Sequence, residues 1–185
     1  MHFYVVSSGL REFQHLFPDY ANGTWNVNAN LSNPGTYYAY VDISPVKGNP
    51  VVLRSELTVR EPTKAGTIKY PGLTPNKVAI AGDISAVLNM KGIGIGAENI
   101  MSYSLTRDGN NAGGFSPYVG AFGNVTILRQ GDLNILLKAR PLPVADENKG
   151  MFDYASAFIK AGRYTAFAEF KVNGKLLVFP ITFEM

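Results

Sequence analysis

The sequence predicts an all-β protein built of two related antiparallel β-sandwiches, the first lacking its N-terminal strands. Three observations carry this. Apolar or alternating runs recur about every ten residues, separated by Gly, Pro, Asn and Asp clusters. Helical periodicity is nearly absent. One stretch of the chain returns later with its glycines and aromatics in place.

Taken in order, the first-half strands are His2 to Val6, Glu12 to Phe17, Thr24 to Ala29, Gly35 to Ile43 and Val51 to Val59. Alternation is clearest in "GTYYAYVDI", where Tyr37, Ala39 and Val41 share one face. The second-half strands are Val78 to Asn89, Asn99 to Arg107, Asn124 to Arg129, Asn134 to Ala139, Met151 to Ala157, Gly162 to Val172 and Lys175 to Phe183. Between the halves, "EPTKAGTIKYPGLTPN" is rich in proline and glycine without alternation, so it reads as a linker. The predicted division is 1–60 for the first, incomplete sandwich, 61–76 for the linker and 77–185 for the second sandwich.

The repeat sets "GTWNVNANLSNPGTYYAYVDI", residues 23–43, against "GMFDYASAFIKAGRYTAFAEF", residues 150–170, without a gap. Gly23 meets Gly150, Trp25 meets Phe152, Gly35 meets Gly162, Tyr37 meets Tyr164 and Asp42 meets Glu169. Upstream, "HFYVVSSG" lies over "NVTILRQG", and "FQHLFP" over "LLKARP" after one gapped residue. Residues Asn76 to Gly123 have no counterpart ahead of Met1. The favoured expectation is a first copy cut inside a longer protein; the other is a gap filled by the linker or by a neighbour through strand addition.

Composition narrows the function. Of 185 residues, 46% are hydrophobic, enough for a sizeable core. There is no cysteine, which removes disulfides, thiolate metal sites and a cysteine nucleophile. The net charge of +3 arises from 17 basic and 14 acidic residues spread along the chain, so no nucleic-acid footprint is predicted. No apolar run has the roughly 20 residues of a transmembrane helix, and no transmembrane segment is expected.

"MHFYVVSSGLREFQHLFP", "NPGTYYAYVDI", "SPYVGAFGNVTILRQGDL" and "AGRYTAFAEF" together resemble uncharacterised, mostly exported bacterial β-sandwich proteins. Their typical segments read M-H-hydrophobic-V-S-x-D-L-x-x-F-x-H-x-H-P and Y-L-G-A-x-G-H, and they are akin to YtkA-like and cupredoxin-like modules. The resemblance implies an immunoglobulin-like or cupredoxin-like fold, an extracytoplasmic location and a metal role resting on histidines. Their three histidine positions fall on His2, His15 and Phe17 in the first copy, and on Asn124, Lys138 and Arg140 in the second.

The two histidines present are the candidate metal ligands. A hairpin loop of Ser7 to Leu10 sets His2 opposite His15, Tyr4 opposite Phe13 and Val6 opposite Arg11. Opposed Cβ atoms are about 4.5–5.5 Å apart, within reach of one copper or zinc ion. Phe17 removes the obvious third ligand, leaving Asp19 or Glu12 as substitutes if the loop bends inward. In the second copy Lys138 and Arg140 repel a cation and suit an anion or acidic partner.

"GIGIGAEN", residues 92–99, lacks the spacing of a phosphate loop and reads as a β connection. Residues 106–123 form a long glycine-rich loop whose last part carries Tyr118-Val119-Gly120, with Tyr118 a candidate binding residue. No nucleophile and base pair up, so the chain is not expected to be an enzyme. The expectation is a non-catalytic extracytoplasmic binding or structural module with a degenerate metal site and no cofactor. Its alternatives are a copper or zinc binder using His2 and His15, and a subunit that self-associates, or takes a protein partner, through an unpaired strand edge.

Overall fold

The computed structural model describes residues 1–60, 73–92 and 94–185. Its described residues are almost wholly antiparallel β-structure with no α-helix; a single 3-10 turn, Glu147–Lys149, interrupts the strands. Backbone contacts divide the chain into two compact units, Met1–Leu73 and Thr74–Met185.

The first unit contains β1 (His2–Ser7), β2 (Phe13–Leu16), β3 (Asp19–Ala21), β4 (Thr24–Asn26), β5 (Gly35–Ile43) and β6 (Val51–Val59). Four of these form a sheet in the order β2-β1-β5-β6, and β3 pairs with β4 as a separate hairpin. The central strands carry the burial: Tyr4, Val5, Val6, Tyr37, Ala39 and Tyr40 are all inaccessible. Both faces of β5 are therefore covered, whereas alternation in its sequence had suggested one core face. On one side Glu12 fastens the segment before β5, because Tyr37 donates its hydroxyl hydrogen to Glu12 at 2.9 Å and Asn33 donates to the same carboxylate. Gln14 accepts the Asn30 backbone N–H at 3.0 Å and donates to its carbonyl, so one side chain holds a segment as a neighbouring strand does.

The first hairpin departs from the predicted register. His15 faces Tyr4 and Phe13 faces Val6, two residues along from the expected pairs. The cause lies in the loop. Ser7 Oγ accepts the backbone N–H groups of Arg11 and Glu12 at 3.1 and 3.0 Å, and Leu10 takes a positive φ of 57° with its side chain 1% exposed. Burying Leu10 stabilises the longer loop by about 2 kcal/mol, enough to offset the roughly 1–2 kcal/mol of its left-handed backbone.

The second unit contains β7 (Val78–Ala81), β8 (Ile84–Lys91), β9 (Glu98–Arg107), β10 (Asn110–Asn111), β11 (Phe115–Ser116), β12 (Gly123–Arg129), β13 (Asp132–Asp146), β14 (Met151–Ala157), β15 (Arg163–Val172) and β16 (Lys175–Glu184). One ladder runs β16-β15-β12-β13-β14-β9-β8-β7. Asn76, just before β7, pairs with Thr182 of β16 through hydrogen bonds of 2.7 and 3.2 Å and brings the two ends together. The fold-over occurs in β13, whose register against β14 breaks between Pro141 and Ala145. Proline cannot donate to the ladder, so the strand changes direction there.

The two layers enclose one core. Val125, Ile127, Ala166, Phe170, Phe179, Ile181 and Phe183 meet Ile84, Leu88, Met101, Tyr103, Leu105 and Phe152 across it. Aromatic rings interlock at angles: Phe152 and Phe170 centroids are 5.0 Å apart, and Phe158 and Tyr164 are 4.9 Å apart. Each such contact adds about 1 kcal/mol to the area buried.

Several predicted boundaries change. The run Val78 to Asn89 is a hairpin, because Gly82 at φ 61° turns the chain between β7 and β8. β13 is far longer than Asn134 to Ala139, since its prolines sit at a bend that the ladder tolerates. Thr24 to Ala29 shortens to β4, and the hairpin partner β3 was not anticipated. Of the predicted linker, residues 61–72 lie outside the described residues, and Asn76 belongs to the ladder of the second unit.

The pairing registers place the units in correspondence. The sheet orders β2-β1-β5-β6 and β13-β12-β15-β16 are the same. His2 pairs with Asp42 as Asn124 pairs with Glu169, and Tyr4 pairs with His15 as Thr126 pairs with Lys138. Opposite Tyr37 and Tyr164 lie Leu57 and Phe183. Gly35 and Gly162 share φ values of 143° and 140°, a region closed to side-chain-bearing residues.

Candidate functional site

His2 on β1 and His15 on β2 project from the same face of the sheet. Continuing the observed register sets Phe17 opposite His2, so the two imidazoles meet diagonally. His2 Nδ1 and His15 Nε2 are 2.9 Å apart, a hydrogen bond in which one ring donates and the other accepts. Aromatic rings surround the pair. Tyr4 stacks on His15 at 4.4 Å between centroids, and Phe17 lies 4.8 Å from His15 and 5.5 Å from His2.

The site can hold a proton between two imidazoles within a mostly apolar setting. For a metal ion the donor set is two nitrogens. Among the described residues no three His, Asp or Glu side chains cluster as a metal site. Phe17, where the resemblance would set a third histidine, packs its ring against the two present. Glu12, named as a substitute ligand, spends its carboxylate on Tyr37 and Asn33. Asp19 sits on the exposed β3. Sequence reasoning passed over Asp42, buried on β5 directly across from His2; its alignment with Glu169 was the available signal.

In the second unit the corresponding positions carry different chemistry. Glu169 is buried and accepts a hydrogen bond of 2.6 Å from Asn124 Nδ2, with Tyr118 Oη 3.5 Å from its other oxygen. Tyr118 thus joins the Asn124–Glu169 cluster. Lys138 is an exposed residue facing Thr126 across the ladder. Arg140 pairs with Glu98 at 3.0 Å, both side chains 60% exposed, an interaction of below about 1 kcal/mol in water. An anion would have to compete with Glu98 for Arg140.

Two further groups are noteworthy. Burial pushes the Tyr103 hydroxyl far above the ordinary phenol range, with neighbouring Tyr154 adding to the shift, and among the described residues the Tyr103 oxygen has no hydrogen-bond partner. Both tyrosines stay neutral inside the core. Of the "GIGIGAEN" segment, the described residues 94–97 lead into β9 without helix. Asn99 accepts the Gly94 N–H at 2.9 Å and donates to the carbonyls of Gly94 and Ala97, which aims its backbone polar groups inward.

Fold and site together define an all-β antiparallel sandwich protein whose polar clusters are built from mutually satisfied side chains. Residues 79–185 match the family described as Domain of unknown function (DUF8832), and the chain belongs to that family. No curated protein and no solved structure matches the chain.

Proposed function

We propose that the chain is a non-catalytic binding or structural β-sandwich module acting outside the cytoplasm, made by duplication of one unit and related to YtkA-like and cupredoxin-like modules, with a metal site that has largely degenerated. The observation that carries the binding role is the bare rim of the first unit. Val51, Leu53 and Leu57 of β6 are 43%, 54% and 38% exposed, and Trp25 of β4 is 54% exposed beside Tyr20. Apolar side chains left bare on a folded unit mark contact surfaces, here on the β6 edge and on the β3–β4 hairpin. The shared strand order and registers support duplication, and the hydrogen-bonded state of His2, His15, Asn124 and Glu169 supports the loss of ligand function.

Trp25 is the sole tryptophan and reports on the hairpin part of this bare surface. Titration with anilinonaphthalene sulfonate is expected to quench Trp25 by energy transfer while the cooperative melting transition persists. Tyr20→Lys, beside Trp25, is expected to weaken the effect. A buried-type Trp25 emission with no dye binding would refute a contact rim.

One observation favours a second reading, a copper or zinc binder using His2 and His15. Their nitrogens need part only from 2.9 Å to about 3.3 Å to ligate one tetrahedral ion at the usual bond lengths. Zn(II) or Cu(II) then raises the melting temperature, and His15→Ala abolishes the rise; an unchanged melting curve at saturating metal eliminates this reading.

A further inference from the structure

We propose that β6 is a self-complementary edge through which two copies of this chain pair, antiparallel, into one continuous eight-stranded sheet. This names the partner of the contact surface proposed above and rests on that reading.

The strand reads Val51-Val52-Leu53-Arg54-Ser55-Glu56-Leu57-Thr58-Val59. A two-fold axis through Ser55 sets Val51 against Val59, Val52 against Thr58, Leu53 against Leu57 and Arg54 against Glu56, with Ser55 meeting its own copy. Every position therefore finds its own residue type, another β-branched residue (Val52 against Thr58) or an opposite charge. A two-fold interface uses the same patch twice, so both Arg54–Glu56 pairs form at once. Directly opposed side chains share a face, which puts Leu53 and Leu57 together on one side and the two ion pairs on the other.

The strand is presented for this. Among the described residues β6 pairs with β5 and with no other strand, leaving its outer backbone groups directed away from the sheet. It is exposed along nearly its whole length. Arg54 is held along the sheet surface by Tyr38, with its guanidinium carbon 4.3 Å from the ring centroid, which reduces the entropy lost when it meets Glu56. A lone charge on an edge strand repels a second copy. Two opposite charges placed symmetrically about the strand centre admit one register and reject others. β16, at the corresponding edge of the second unit, has Pro180 mid-strand and Asn76 against Thr182, so it offers no such surface.

The test measures molar mass by light scattering across a concentration series with the full chain. Wild type is expected to pass from monomer to dimer and stop there. Arg54→Glu and Glu56→Arg each oppose like charges twice, so each alone weakens self-association on the order of tenfold or more. Mixing the two variants restores both pairs and re-forms the dimer, as does the double variant R54E/E56R. This rescue also shows that each variant folds. A wild type that remains monomeric, single variants that dimerise as wild type does, a mixture that stays monomeric, or growth into larger species each overturns the proposal. A monomeric wild type whose Trp25 still binds the dye removes the second copy as partner and leaves the contact rim standing.

Discussion

The rims of the two units teach more than their centres. β5 and β15 are both buried on both faces, and their registers with β1 and β12 correspond residue for residue. The strands beside them differ sharply: Leu53 is 54% exposed where the register puts Phe179 at 0%, and Leu57 is 38% exposed where it puts Phe183 at 1%. Trp25 is 54% exposed where the aligned Phe152 is at 2%. The difference is one layer. β7, β8 and β9 lie across the core from β16 and beside β14, and the described residues of the first unit contain no counterpart. The first unit instead fastens its own segments from Gln14 to Asn30 and from Glu12 to Tyr37 and Asn33, while β6 and the β3–β4 hairpin stay exposed.

Truncating the rim side chains breaks this comparison most directly. Phe179→Ala empties a packed core position and is expected to cost about 3–5 kcal/mol, whereas Leu53→Ala removes a half-exposed side chain and costs below about 1 kcal/mol. Urea unfolding followed by circular dichroism measures both. Equal costs would mean that β6 is covered.

Next in size come the paired glycines. A Cβ on Gly150 would lie 2.6 Å from the Leu105 carbonyl and 3.0 Å from that of Ala112, while one on Gly23 meets nothing within 4 Å. Both have positive φ, so Gly23→Ala carries only the left-handed penalty of about 1–2 kcal/mol. Gly150→Ala adds a further 1–3 kcal/mol of overpacking against β9 and the Ala112 backbone. The same unfolding curves separate the two.

The polar clusters sharpen the comparison further. Asn124→Ala withdraws a donor from the buried Glu169 carboxylate and is expected to cost about 1–3 kcal/mol. His2→Ala breaks the imidazole–imidazole hydrogen bond and costs about 1 kcal/mol. Thermal melts at neutral pH rank them, and the reverse order would mean that the imidazole pair stabilises the fold more than the Asn124–Glu169 hydrogen bond does.

The smallest effect is electrostatic. Hydrogen bonds from Lys160 and Asn134 hold the Asp132 carboxyl below its usual range. A depressed folded-state value means that the associated stability is present above the unfolded carboxylate pKa and is lost as pH falls toward the folded one. Lys160→Ala is therefore expected to lower stability slightly at neutral pH, flattening the acid limb, and to leave stability below both carboxylate pKa values almost unchanged; the effect is small because the Lys160 side chain is 56% exposed.

Much of this was legible in the sequence. Alternation in "GTYYAYVDI" and its echo in "GRYTAFAEF" located β5 and β15, and the glycines at 35 and 162 marked their shared entry turn. What escaped has physical causes. The hairpin register depended on Ser7 capping a loop that buries Leu10, a tertiary effect that alternation cannot report. The two burials of β5 escaped because tyrosines at successive positions satisfy either face. Asp42 escaped as a site residue because an acid in a strand looks solvated until its cross-strand partner is known. The diagonal meeting of His2 and His15 followed from that same register shift, which moved their pairing without separating the rings.

The absence of native cysteine permits one direct measurement of the open rim against the closed one. Leu53→Cys and Phe179→Cys are each exposed to a thiol reagent under native conditions. The account predicts that the thiol on β6 reacts at nearly the rate of a free thiol, while the one on β16 reacts only through unfolding, orders of magnitude more slowly. Equal protection of both positions would contradict it.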